Sequence, residues 1–405
     1  MPFDERSFDN PFLKEKPISF SSKAEVIPPN FAKKVEDFLF DKVQIILEQL
    51  RDGNISSKDV SVYTGLSGIA LMLMKLQNSG ILKNRLSENL HDVAFKITKH
   101  NDSRKSSACT FLCGDPGSMF VKVLAADEVK KGQRGDLKRV IDAGEVLTRQ
   151  GGKIYDEYLY GRAGYLGCLV FMGKHFPDFK DEALMDQICK VMIESGISGA
   201  KHNRLKQPMY YEWHESEYVG GAHGYAGIFY YLLKLKHLPS VQQVLQKELR
   251  DALYWFVSLQ TSSGNYPSSI GSQSDKLVHW CHGAPSAVFT LIEAYKVYGD
   301  EKFKEAAINC GECGWKRGFL KKGFGICHGT AGNAYTFIAL YQLTRDLSHL
   351  HRAVCFAQLC VDMDRVEHRT ADRPYSLFEG LAGTMYFLID MMDVENATFP
   401  CYQFH

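Results

Sequence analysis

Seven segments of the chain open on a small-residue start and run on as an apolar stretch of helical length. They are "YTGLSGIALMLMKL" from Tyr63, "LCGDPGSMFVKVL" from Leu112, "LYGRAGYLGCLVFM" from Leu159 and "AHGYAGIFYYLLKL" from Ala222, then "CHGAPSAVFTLIEAY" from Cys281, "CHGTAGNAYTFIALY" from Cys327 and "FEGLAGTMYFLIDMM" from Phe378. Their first glycines are Gly65, Gly114, Gly161, Gly224, Gly283, Gly329 and Gly380, at intervals of 49, 47, 63, 59, 46 and 51 residues. Each interval has room for two helices and two connections. A repeat of this length marks stacked supersecondary units rather than a string of separate domains.

Between the apolar runs lie amphipathic ones: "FAKKVEDFLFDKVQIILEQL", "LSENLHDVAFKITKH", "DLKRVIDAGEVLTRQ", "ALMDQICKVMIESG", "VLQKELRDALYWFVSLQ", "EKFKEAAINCGECGWKRG" and "LSHLHRAVCFAQLCVDM". Each is apolar at i, i+3 and i+4 with charge on the opposite face. A helix apolar all round must be buried, and an amphipathic one can cover it. Seven such hairpins closed into a ring give an all-α, seven-fold α/α toroid, a double-layered helical barrel of about 14 helices. The expected domain is single, over 1–405, with 1–30 as an N-terminal arm packed over the opening. The glycines let backbones approach at the helix starts, and free N–H groups there are expected to favour anions.

Composition excludes several classes. Forty-eight basic against 47 acidic side chains leave a net charge of +1, so nothing points to nucleic acid. No uninterrupted apolar stretch is long enough for a membrane span. The start, "MPFDERSFDNPFLKEK", has no apolar signal core. Eleven cysteines, an odd number without a secretory pattern, suggest thiols in a reducing compartment, so a cytoplasmic location is expected.

Cys-His-Gly occurs twice, at 281–283 and 327–329. If the helix starts gather at one end of the ring, these side chains converge. Zinc takes thiolate and imidazole ligands and keeps an open position when it is catalytic. Cys281, Cys327 and one histidine, either His328 or His282, would supply three ligands. Cys310 with Cys313, and Cys109 with Cys113, read as structural thiols, having no partner pair at zinc-finger spacing.

The motifs "RSFDNPF", "FLCGDPG", "YYEWHESEYVGGAHGYAGIFYYL", "SGNYPSSIG", "LVHWCHGAP", "FLKKGFGICHGTAGNAY" and "SLFEGLAGT" resemble the LanC-like proteins, eukaryotic relatives of the bacterial lanthionine cyclases, over nearly the whole chain. The resemblance implies the toroid with one zinc at its end, held by Cys281, Cys327 and His328. Bacterial cyclases tend to have Tyr where this chain has His282, which points to the eukaryotic branch and away from lantibiotic ring formation. That branch implies glutathione as co-substrate, added to dehydroalanine or dehydrobutyrine in proteins, and elimination of phosphate from phosphoserine or phosphothreonine. The partners expected are therefore glutathione and phosphorylated or dehydroamino-acid proteins. His223, at a helix start matching those of Cys281 and Cys327, is the expected acid that protonates the α-carbon, with His282 as a second candidate. Lys322 and Arg6 are expected to bind glutathione and the leaving phosphate. Glu379, the one carboxylate at a repeat start, is expected to hold glutathione's amine or act as a base. Tyr160 and Arg162 are weaker candidates. A non-catalytic zinc and glutathione sensor is the alternative function. A prenyltransferase-like zinc site would need a carboxylate ligand, and a toroidal glycosidase would need two catalytic carboxylates.

Overall fold

The computed structural model describes residues 6–14, 28–99, 108–132, 134–149 and 154–404. Among them, secondary structure is helical, with three isolated β-bridges. In chain order the helices are α1 (Pro29–Arg51), α2 (Leu66–Ser79), α3 (Leu90–Thr98), α4 (Asp115–Glu128), α5 (Gly135–Asp142), α6 (Arg162–His175), α7 (Glu182–His202) and α8 (Tyr225–Lys234). They continue as α9 (Pro239–Leu245), α10 (Glu248–Ser258), α11 (Ala284–Tyr298), α12 (Glu301–Arg317), α13 (Thr330–Thr344), α14 (Leu347–Val361) and α15 (Leu381–Met391). The seven apolar runs are α2, α4, α6, α8, α11, α13 and α15, and each begins immediately after its repeat glycine. Burial follows composition: every residue of α8 from Tyr225 to Leu233 is buried, whereas α3 buries only Leu90, Ala94 and Thr98.

The two helix sets start differently. Three amphipathic helices, α3, α7 and α14, use side-chain caps: Asn89 accepts from His91 and Asp92, Asp181 from Leu184, and Asp346 from Ser348. The apolar helices cap with glycine and use the backbone. The first N–H of α2, α6, α8, α13 and α15 donates to the carbonyl seven residues earlier, as in Leu66 to Asp59 (3.0 Å) and Leu381 to Pro374 (2.8 Å). The chain folds back so tightly that a Cβ on Gly65 would lie 2.4 Å from the Asp59 carbonyl oxygen. Three residues on, a second glycine meets another carbonyl, 1.7 Å from such a Cβ at Gly117. These bonds correct the expectation of open anion sites, because the leading N–H groups already have acceptors. One other expectation changes. "VLQKELRDALYWFVSLQ" is not one helix but α9 and α10, since Lys247 leaves the helical region (φ −130°, ψ −79°) and becomes the N-cap of α10.

The chain groups into two compact units, one of residues 1–101, 124–132 and 311–405, the other of 102–123 and 133–310. In the first, α2 packs on α3 and α15, and α13 on α14 and α15. There the Asp390 carboxylate meets Lys75 Nζ at 2.7 Å and accepts from the Tyr335 hydroxyl at 2.7 Å. In the second, α8 packs against α6 and α11, and α7 against α9. Of the expected arm, 1–5 and 15–27 lie outside the described residues. Arg6 to Phe8 pair with 319–321: Ser7 bridges Leu320, Phe8 N–H donates to Phe319, and Lys321 N–H donates to the Arg6 carbonyl. All eleven cysteines lie outside disulfides. No helix among the described residues is long and apolar enough to cross a membrane.

Candidate functional site

The loop before α11 carries Cys281 and His282, and Asn265 ties it down. The fully buried Asn265 side chain accepts from Ala284 N–H (2.8 Å) and donates to Asp275 (2.6 Å) and to the Leu277 carbonyl (3.0 Å). It thereby replaces the backbone cap used at other starts. Gly283 closes the loop at φ +124°, a value that disfavours side chains. Cys281 is buried, with Sγ 4.0 Å from His279 Nδ1.

In the same unit His223 forms the second feature. Its Nδ1 lies 2.8 Å from Glu157 Oε2, and Glu157 is only 1% exposed. Glu157 also accepts from the backbone N–H groups of Leu159 (2.8 Å) and Tyr160 (2.5 Å). A carboxylate accepts from Nδ1–H and so leaves Nε2 as the nitrogen that can exchange a proton. Trp213 stacks on the imidazole at 3.8 Å and 6°, and the His282 ring lies 6.3 Å away. Trp213 begins a two-residue turn closed by Ser216, whose central residues His214 and Glu215 both have positive φ (47° and 61°). Such turns favour Asn-Gly, and each non-glycine residue here costs on the order of 1 kcal/mol.

The other unit carries Cys327, His328, Lys322, Arg6 and Glu379. Cys327 is buried, its N–H donating to the Phe378 carbonyl (2.8 Å) and its Sγ accepting from the Tyr63 hydroxyl at 2.9 Å. Tyr63 in turn stacks on Phe378 at 4.8 Å. Lys322 and Arg6 are exposed, and the Arg6 carbonyl is bound at the neighbouring Lys321. Glu379 is half-buried and lines a cavity of about 220 Å³ with Lys42, His368 and Arg369.

Three sequence-predicted residues gather. Cys281, Cys327 and His328 each offer a ligand atom, and the three atoms lie within 4.8 Å of one another. Two thiols and an imidazole suit zinc, and the Tyr63 donor suits a thiolate at Cys327. His282 is not in the group. The repeat register also needs correcting. Counting from the capping glycines, His223 matches His282 and His328, while Cys281 and Cys327 stand one position earlier. Arg162 is structural: buried, it meets Asp156 at 2.7 Å and donates to the carbonyls of Leu147, Ile154 and Arg149. Sequence reasoning missed Glu157, Tyr63, Trp213 and Asn265. The quoted "SGNYPSSIG" contains Asn265, but nothing in its spacing reveals the partner.

The family model described as lanthionine synthetase C-like protein matches residues 56–404. This chain belongs to the LanC-like family. The LanC-like chain is 37% identical over 407 residues to a Danio rerio protein named glutathione S-transferase LANCL1, covering 99% of each. It is 33% identical to LanC-like protein GCL1 of Arabidopsis thaliana, over 88% of this chain and 84% of that one. Among solved structures, nisin cyclase superposes with a TM-score of 0.59 at 15% identity, covering 90% of this chain and 94% of that one. The fold is accordingly the all-α helical toroid.

Proposed function

We propose that this LanC-like protein is a zinc-dependent glutathione transferase acting on dehydroalanine and dehydrobutyrine in proteins, and that it also eliminates phosphate from phosphoserine and phosphothreonine. One observation carries the reading: the Cys281, Cys327 and His328 group occurs in a chain similar end to end to a protein named a glutathione S-transferase. Zinc bound there supplies a Lewis-acidic centre at which a thiol gives up its proton near neutral pH.

The chain's residues do the rest. The Asn265 clamp and the Tyr63 hydroxyl orient Cys281 and Cys327. In addition, a bond forms between sulfur and the β-carbon, the π bond breaks, and the α-carbon takes a proton. His223 donates that proton through Nε2 while Glu157 holds Nδ1. In elimination, neutral His223 removes the α-proton, the β-carbon–oxygen bond breaks and phosphate leaves with the electron pair. Lys322 and Arg6 neutralise the leaving group, and His282 orients the acceptor. Glu379, in its cavity with Lys42 and Arg369, takes glutathione's ammonium. The location proposed is cytoplasmic.

Incubation of a phosphoserine peptide with glutathione, followed by mass, is the test. The expected product has lost phosphate and gained glutathione, and a chelator abolishes it. Glutathione binding without any turnover on phosphorylated or dehydroalanine peptides would show a sensor instead.

A further inference from the structure

Beside His223 stands an aromatic surface to which the reaction above gives no role. Tyr160, Trp213 and His223 are parallel to within 7°, with Tyr160 5.9 Å from Trp213 and 6.1 Å from His223. Most large aromatic side chains here are buried, yet Tyr160 is 47% exposed. Its position is nonetheless fixed. Its backbone N–H is bound by Glu157, and its hydroxyl is hydrogen-bonded to Cys113. The charge that Cys113 can carry, together with partial burial, pushes the phenol up to about 12, so it stays a neutral hydrogen-bonding group. Trp213, stacked on His223 at 3.8 Å, hangs from the strained His214–Glu215 turn. Strain held at a rigid, partly exposed aromatic surface points to a ligand.

We propose that this surface is the acceptor subsite, where the planar α,β-unsaturated amide of a dehydroamino acid lies on the exposed ring of Tyr160 with its α-carbon toward His223. The proposal rests on the reading above for its ligand, but it concerns residues that the reading does not use. Conjugation makes the unsaturated residue flat, and a flat group on Tyr160 lies parallel to the imidazole that must reach it. Phosphoserine, alanine and the finished thioether are tetrahedral at the α-carbon and cannot make the same face-to-face contact. The subsite therefore selects the unsaturated residue over both its precursor and its product, which favours release after addition.

Calorimetry without glutathione reads this directly, using the full-length zinc-loaded protein. A dehydroalanine peptide should bind more tightly than the same peptide with alanine. Tyr160→Phe should keep that preference and Tyr160→Leu should lose it. In turnover, Tyr160→Leu should raise KM for the dehydroalanine peptide by about three- to ten-fold with the KM for glutathione unchanged. A Leu variant that still prefers the unsaturated peptide, or that loses glutathione affinity to the same extent, overturns the subsite. Absence of glutathione transfer by the wild type overturns the functional reading instead, and the peptide preference is measured whether or not transfer occurs.

Discussion

Glu157 holds His223 by a single bond, and that bond decides which imidazole nitrogen is available. The carboxylate is buried and already accepts two backbone N–H groups, so it cannot swing away when the histidine changes protonation. Glu157→Gln keeps the shape but can present an N–H to Nδ1, which disfavours the productive tautomer. A general acid typically contributes 10²–10⁴-fold, so His223→Ala should lose about that much in kcat, and Glu157→Gln on the order of 10²-fold. Because both changes act on one proton transfer, the double variant should be no slower than His223→Ala. Additive losses in single-turnover rates would separate the two residues. Lys322 and Arg6 belong to the other half of the chemistry. Both side chains are exposed, so their substitution should leave the fold intact. Lys322→Ala or Arg6→Ala should slow phosphopeptide turnover about ten-fold or more, as expected when a charge on a leaving group is left uncompensated. Addition to a ready-made dehydroalanine peptide should change little. Equal loss on both substrates would assign them to glutathione binding alone.

At the scale of elements, the buried end of α15 is tied by charge. Asp390 is almost wholly buried, and burial pushes its carboxyl up to about 6 from the usual 3.8, with Lys75 and the Tyr335 hydroxyl opposing that shift. A carboxyl whose folded value is raised binds its proton more tightly in the native state. Its contribution to stability is present below about pH 4 and is lost as pH rises through about 6, on the order of 3 kcal/mol in all. Asp390→Asn lacks this titration. The difference in urea unfolding free energy, wild type minus variant, should therefore fall by about that amount between roughly pH 4 and pH 7. A flat difference would show that Lys75 compensates the carboxylate fully. The apolar helices themselves are legible in the chain, because each needs burial on every side and a glycine wherever a carbonyl crowds its first turn. The break between α9 and α10 is not legible, since one lysine's backbone angles make it while the apolar period runs on unbroken. Glu157 and Asn265 are hidden for another reason. Their partners stand 66 and 10 to 19 residues away, and no local period encodes such a meeting.

For the whole molecule, the proposed metal ties stability to its ligands. Cys281 stands 46 residues before Cys327 in the chain, so an unfolded chain does not present the three donors together. Binding that requires the folded arrangement adds to folding free energy, by about 4 kcal/mol when free zinc is a thousand times its Kd. The entropy of unfolding scales with length. For 405 residues, each kcal/mol moves the melting temperature by roughly 1 °C. Removing zinc with a chelator should therefore lower the melting temperature of the wild type by about 4–5 °C. Metal analysis should give one zinc per chain. Cys327→Ala should melt near the chelated wild type, hold much less zinc and respond little to chelator. His282→Ala should keep its zinc, because His282 stands outside the group of three. Full zinc retention by Cys327→Ala would overturn the ligand set, and retention by His328→Ala together with loss from His282→Ala would transfer the third ligand to the other histidine.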